Sequence, residues 1–281
     1  MKSDFEAVPI ASVREYWDRR PCNLRHSAAP IGTREYFDEV EWRKYFVEPH
    51  IPVFAQFDRW AGRRVLEIGC GLGTDTINFA RAGAEVTAVD VSSRSLDLAR
   101  QRSEIFGVAG RIRFVEADAE RLSSFVEPQP YDLVYSFGVI HHSPLPSRIL
   151  DEIRRHFVDS SSTLKLMLYH RRSLKVLGIL FREARGAWWC LEEAIARHSE
   201  AQTGCPVTYT YSKRDAADLL SSAGFTILDS RVEHIFPYRI RDYVEYRYMK
   251  AVPFNLIPDR ALDALAHHVG WHLCLTAKAS S

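Results

Sequence analysis

Short apolar runs recur through the middle of this chain, separated by stretches whose apolar positions fall at helical spacing. Val65 to Ile68, Glu85 to Val89, Ile112 to Glu116, Tyr131 to Ser136 and Leu164 to Tyr169 read as strands. The first is short and mostly apolar, as a strand covered on both sheet faces must be. Between them, Thr74 to Arg81 and Val91 to Phe106 read as helices, the second capped by Ser92 or Ser93 and stopped by Gly107. Pro146 to Phe157 is a third, with Ile149, Leu150 and Ile153 on one side. Such alternation of strand and helix demands a parallel sheet with helices on both faces.

The first strand runs into Gly69, Gly71 and Gly73, and the second ends at Asp90. Glycines let the chain turn sharply and let a ligand lie against bare backbone, while the amides opening the next helix face the same spot. A carboxylate at Asp90 can accept both hydroxyls of a ribose. Two ligands compete for such a turn, a nicotinamide dinucleotide and S-adenosylmethionine. The dinucleotide pattern is G-x-G-x-x-G, whereas here the third glycine arrives one residue early and Thr74 stands in the late position.

With Glu67 ahead of the glycines, E-I-G-C-G-L-G resembles the first motif of class I S-adenosylmethionine-dependent methyltransferases, and Asp90 matches their ribose-binding acid. Asp118, followed by Ala119, matches the acid that faces the adenine amino group, and Ser136 to His142 is similar to the segment lining the methionine side. The resemblance is specific from about Arg63 to His170. It implies a doubly wound, mostly parallel seven-stranded α/β sheet whose last strand, Trp271 to Ala277, lies antiparallel between the fifth and the sixth. It also implies S-adenosyl-L-methionine as cofactor, held by Glu67, Gly69, Gly71, Gly73, Asp90, Asp118, Ala119, Ser136 and, from the N-terminal arm, Tyr16. The arm's phrase YWDRRPCNLRHS is similar to the opening of a bacterial group within the superfamily.

Around this core the chain is expected to carry a helical arm or lid at 1–60, a cofactor-binding core at 61–170 and a substrate-side insertion at 171–211. The remainder of the sheet follows at 212–281, with a second insertion at about 237–268. All three additions are rich in aromatic side chains, which suits packing and also suits a pocket for an organic acceptor.

Composition narrows the function. Lys+Arg 37 against Asp+Glu 36 leaves +1, so no global field draws the chain to nucleic acid or to an anionic membrane. The N-terminal stretch lacks the apolar core of a signal peptide, and no apolar run is long enough to span a bilayer, so a cytoplasmic protein is expected. Five scattered cysteines show neither zinc nor disulfide spacing.

The expected chemistry is metal-independent methyl transfer to a small organic acceptor, aromatic or a natural product, governed by positioning. Where the acceptor arrives protonated, a histidine is the natural base. His141 has the leading position, with His170 and Tyr36 as further candidates; His26 and His234 can be brought in from the flanks. The chain lacks the Asp/Asn-Pro-Pro-aromatic motif of nucleobase and amide methylation, the carboxylate set of magnesium-dependent catechol enzymes and the paired glutamates of arginine methylation. The alternatives are a peptide or protein methyltransferase using Tyr238 to Lys250 as a docking strip, and a non-catalytic S-adenosylmethionine-binding partner subunit.

Overall fold

The computed structural model describes residues 5–184, 186–198 and 204–280. Parts of the predicted arm and of the first insertion, Thr203 among them, lie outside the described residues. The sheet has seven strands: β1 (Arg64–Ile68), β2 (Glu85–Asp90), β3 (Ile112–Glu116), β4 (Leu133–Phe137), β5 (Thr163–Tyr169), β6 (Phe225–Glu233) and β7 (His272–Ala279). Their order is β3-β2-β1-β4-β5-β7-β6. Strands β1 to β5 pair in parallel, and β7 enters antiparallel between β5 and β6, with Leu166 opposite Leu275 and Val232 opposite Leu273. The parallel pairing of β1 to β5 is what the strand and helix alternation demands, and the antiparallel β7 between β5 and β6 is what the resemblance implies.

The central strands are apolar because both faces are covered. Leu66, Val134, Leu164 and Leu166 pack with Ile149, Leu150 and Ile153 on one side of the sheet. Val65, Val86, Ala88 and Tyr135 pack with Phe79 and Leu96 on the other. Helix Thr74–Arg81 begins directly at Gly73, and helix Ser93–Ile105 is capped by the Ser92 hydroxyl, which accepts from Ser95 N at 3.1 Å. Helix Lys213–Ser222 opens on a reciprocal capping box between Ser212 and Asp215.

The sixth strand runs from Phe225 to Glu233. It forms a sheet edge, so only Phe225 and Val232 of its residues are buried, and a bulge between Ile227 and Asp229 disturbs the alternation by which a strand is read. The N-terminal arm folds as helices Ile10–Arg19, Arg34–Val47 and His50–Ala55. The second insertion contributes helices Ile240–Val244 and Asp259–Val269. Arm and insertion meet over the carboxyl ends of the parallel strands, where an open α/β sheet binds its ligands. Among the described residues no helix is long and apolar enough to cross a membrane.

Candidate functional site

One cavity of about 1980 Å³ opens over those strand ends. Organic ligand sites commonly measure about 300–1,000 Å³, so this one has room for two molecules side by side.

At one end lies the glycine turn. Gly69, Gly71 and Gly73 all have positive φ, at 79°, 53° and 72°. Each does something different. A Cβ on Gly69 would meet Val139 Cγ2 at 2.1 Å, and one on Gly73 would press on Ala99 Cβ at 3.0 Å, so these two allow close packing of the turn on its neighbours. A Cβ on Gly71 would meet nothing within 4 Å and would project into open space at the cavity wall. The Asp90 carboxylate closes the turn, accepting from Gly71 N at 2.8 Å and from Ser92 N at 2.9 Å. Burial pushes the Asp90 carboxyl up to about 6, against the pull of these backbone N–H groups. It remains ionised at pH 7, with lone pairs left for ligand hydroxyls. Across the turn, Asp118 is buried and accepts from Glu120 N at 2.9 Å.

Of the residues expected to hold a cofactor, Tyr16, Gly69, Gly71, Asp90, Asp118 and Ala119 line this cavity. Glu67, Gly73 and Ser136 sit behind its wall. Ser136 donates to Ile68 O at 3.1 Å, tying β4 to β1. Glu67 accepts from Thr76 Oγ1 at 2.5 Å, and burial beside Asp75 raises its carboxyl to about 8. Thr76 and Asp75 lie on the helix that leaves the turn, so Glu67 anchors that helix to β1.

The three residues expected to act on the acceptor are placed elsewhere, each for a packing reason. The Tyr36 ring packs among Phe37, Val40 and Leu72, and its hydroxyl donates to Leu24 O at 2.9 Å. His170 is buried at the end of β5, with Nδ1 at 3.1 Å from Gly270 O. His141 is fully enclosed, its ring centroid 3.8 Å from that of Tyr169, and burial holds its imidazole well below the usual range. The adjacent His142 is the one on the cavity wall, against Trp17 of the arm at 5.3 Å between centroids.

The other end of the cavity is built by segments far apart in the chain. Glu48, His234 and His272 meet there, with His50 behind them: His50 Nε2 is 3.0 Å from His272 Nδ1, and His272 Nε2 is 3.5 Å from Glu48 Oε1. Burial lowers His50 to about 4 and His234 to about 3, so these rings are neutral at pH 7. Of the four, only His234 is marked by the sequence as a candidate; the cluster is assembled by β7 returning beside β5 and has no local pattern. Arg43 is a second residue that sequence reasoning misses. It is 1% exposed, stacks over Tyr243 at 3.9 Å and Tyr246 at 4.5 Å, donates to Tyr243 O and has no carboxylate partner among the described residues.

A glycine turn, a helix opening at it and a carboxylate one strand over, beneath a sheet of order 3-2-1-4-5-7-6, define the class I methyltransferase fold. The comparisons agree. Residues 65–159 match a protein family described as a methyltransferase domain. Over 90 residues the chain is 37% identical to the ubiquinone biosynthesis O-methyltransferase of Ralstonia nicotianae, covering 32% of this chain and 37% of that one. Over 96 residues it is 40% identical to the release factor glutamine methyltransferase of Chlorobaculum tepidum, covering 33% and 32%. These matches span about a third of the relatives' length. In fold, the chain is similar to magnesium protoporphyrin IX methyltransferase from Synechocystis PCC 6803 with bound S-adenosylhomocysteine, at TM-score 0.59 and 17% identity over 97% of this chain and 100% of that one. Residues 65–159 thus match a methyltransferase domain, within a chain that has the fold of S-adenosylmethionine-dependent methyltransferases.

Proposed function

We propose that this protein transfers the methyl group of S-adenosylmethionine to a bulky small organic acceptor. The observation that carries this reading is the continuity of the cavity: the Gly71 and Asp90 cradle and an aromatic chamber share one space of about 1980 Å³. A chamber walled by Trp17, Phe236, Tyr238, Tyr243 and Phe254 favours an acceptor with a large apolar or ring surface. The matched O-methyltransferase core agrees with an organic acceptor, and the matched glutamine methyltransferase keeps a peptide acceptor as the alternative.

When bound, the cofactor supplies a methyl group already activated by a positive sulfur. The chain therefore has to position, and to exclude water. Asp90 would hold the ribose, with Gly71 free of any side chain that would obstruct it, and Asp118 would face the adenine amino group. Phe137, Gly138 and Val139 at the end of β4 line the cavity, Val139 beside Gly69 and Phe137 beside His272, and the acceptor atom would be aligned with the methyl group along them. The arm helix Ile10–Arg19, which brings Tyr16 and Trp17 over the same space, would act as the cover.

The test is mass spectrometry of the purified protein incubated with methyl-labelled S-adenosylmethionine and fractionated small-molecule and peptide extracts. A small molecule heavier by one labelled methyl is the expected product. Label found in peptides alone would establish the alternative. No label despite bound S-adenosylhomocysteine would overturn methyl transfer in favour of a binding role.

A further inference from the structure

The cluster at the far end of the cavity has the composition of a metal site. Glu48, His234 and His272 present ligand atoms that all lie within 4.8 Å of one another. Two atoms bound tetrahedrally at about 2.1 Å from one ion are separated by about 3.4 Å, and Glu48 Oε1 lies 3.5 Å from His272 Nε2. Here the pair is already set at the spacing an ion would impose.

The surroundings supply two further requirements. A ligating histidine is ordinarily fixed by a hydrogen bond through its other nitrogen. His272 has this arrangement, since its Nδ1 is 3.0 Å from His50 Nε2, which leaves Nε2 toward Glu48. The second requirement is that the ligands be held in place against some cost. His234 has φ +70, a left-handed conformation that a residue with a side chain adopts at an expense of about 1–2 kcal/mol. Its carbonyl is fastened by Trp271 N at 2.8 Å, which sets the His234 ring beside β7. The two ring centroids are 4.7 Å apart.

The geometry points to a divalent transition-metal site, of the zinc or iron(II) class, formed by Glu48, His234 and His272 with His50 in support. Two imidazoles and one carboxylate select such ions over magnesium or calcium, which want oxygen ligands throughout. Three protein ligands leave a coordination position open, as catalytic sites do and closed structural sites do not. All three ligands line the cavity, so that position faces the acceptor chamber. Resting on the methyl-transfer reading, the ion's role is to bind an oxygen or nitrogen of the acceptor and orient it toward the methyl donor. This replaces the metal-independent chemistry expected from the sequence, where no local spacing joins residues 48, 234 and 272.

The full-length protein, stripped with a chelator and dialysed, is titrated with Zn²⁺ and with Co²⁺ by calorimetry and by visible absorption. One equivalent should bind, with a cobalt spectrum of four or five nitrogen and oxygen ligands. Glu48→Gln and His234→Asn should each weaken binding at least tenfold; asparagine tolerates the left-handed backbone, so His234→Asn keeps the fold. Absence of stoichiometric binding, or binding unchanged in both variants, would overturn the site. S-adenosylhomocysteine titrated into the same samples reads the other end of the cavity independently. Cofactor binding without metal binding sinks the metal site alone, and loss of cofactor binding in the wild type sinks the underlying reading.

Discussion

The Asp90 carboxylate accepts the backbone N–H of Gly71 at 2.8 Å, joining the end of β2 to the turn that leaves β1. That side chain shapes the glycine turn and, in the function proposed above, also offers an acceptor to a ligand hydroxyl. Asp90→Ala removes both. It should weaken S-adenosylhomocysteine binding by about 10- to 100-fold, the worth of one or two charge-assisted hydrogen bonds. It should also lower the melting temperature, because Gly71 N and Ser92 N lose their partner. Calorimetry and a thermal melt separate the two effects; an unchanged affinity would exclude Asp90 from the cofactor site.

The same carboxylate makes affinity and stability depend on pH in opposite directions. Its proton is lost near pH 6 in the folded protein, against 3.8 ordinarily. Between those values the folded state holds a proton that the unfolded state has released, so apo stability falls as pH rises from about 4 to 6 and levels off above. Cofactor affinity should do the reverse, since only the ionised form accepts a ribose hydroxyl, declining up to about tenfold per unit below pH 6. Asp90→Asn should flatten this part of both profiles. A wild-type affinity constant from pH 5 to 8 would rule out the assigned role.

The cofactor end of the cavity was legible in sequence because its parts are local. The strand, three glycines, helix and acid occupy consecutive positions, and each has a backbone reason to be where it is. The acceptor end is a product of topology. His50 and His272 become neighbours only because β7 inserts beside β5, and Lys44 reaches Asp75 only because the arm folds back over the sheet. His141 is hidden for a related reason: in the short turn after β4 both histidine rings pack near Tyr169, at 3.8 and 5.4 Å between centroids, and His142 is the one that also lines the cavity. Tyr36 and His170 likewise have the right residue type and a buried, bonded position.

The glycines should separate folding from binding. Gly69→Ala puts a methyl 2.1 Å from a Val139 carbon and keeps φ at 79°, so the turn must distort. We expect a loss of more than about 2 kcal/mol, visible as a melting temperature lower by several degrees. Gly71→Ala meets open space and costs only its left-handed backbone, about 1–2 kcal/mol. Its methyl would enter the cofactor cradle, so affinity for S-adenosylhomocysteine should fall at least tenfold beyond any effect on folding. Equal binding losses in folded samples of the two variants would refute this division.

Lys44 and Asp75 form a buried ion pair between the arm and the core. Lys44 Nζ lies 2.7 Å from Asp75 Oδ1, with side-chain exposures of 13% and 2%. Tyr45 and Tyr135 donate their hydroxyls to the same carboxylate at 2.9 and 3.0 Å. Burial holds both phenols well above their ordinary range. Lys44→Met would leave the buried Asp75 carboxyl without its cation, at a cost of about 3 kcal/mol. Asp75→Asn would strand the lysine at comparable cost. The double variant removes both charges and should lose about 1–3 kcal/mol less than the sum of the single losses. Because Lys44 also lines the cavity, the single variants should loosen the arm and raise the KM for the acceptor. Additive stability losses in chemical denaturation would mean that the two charges do not depend on each other, and that the arm is held by its other contacts, Glu41 with Arg102 at 2.7 Å among them.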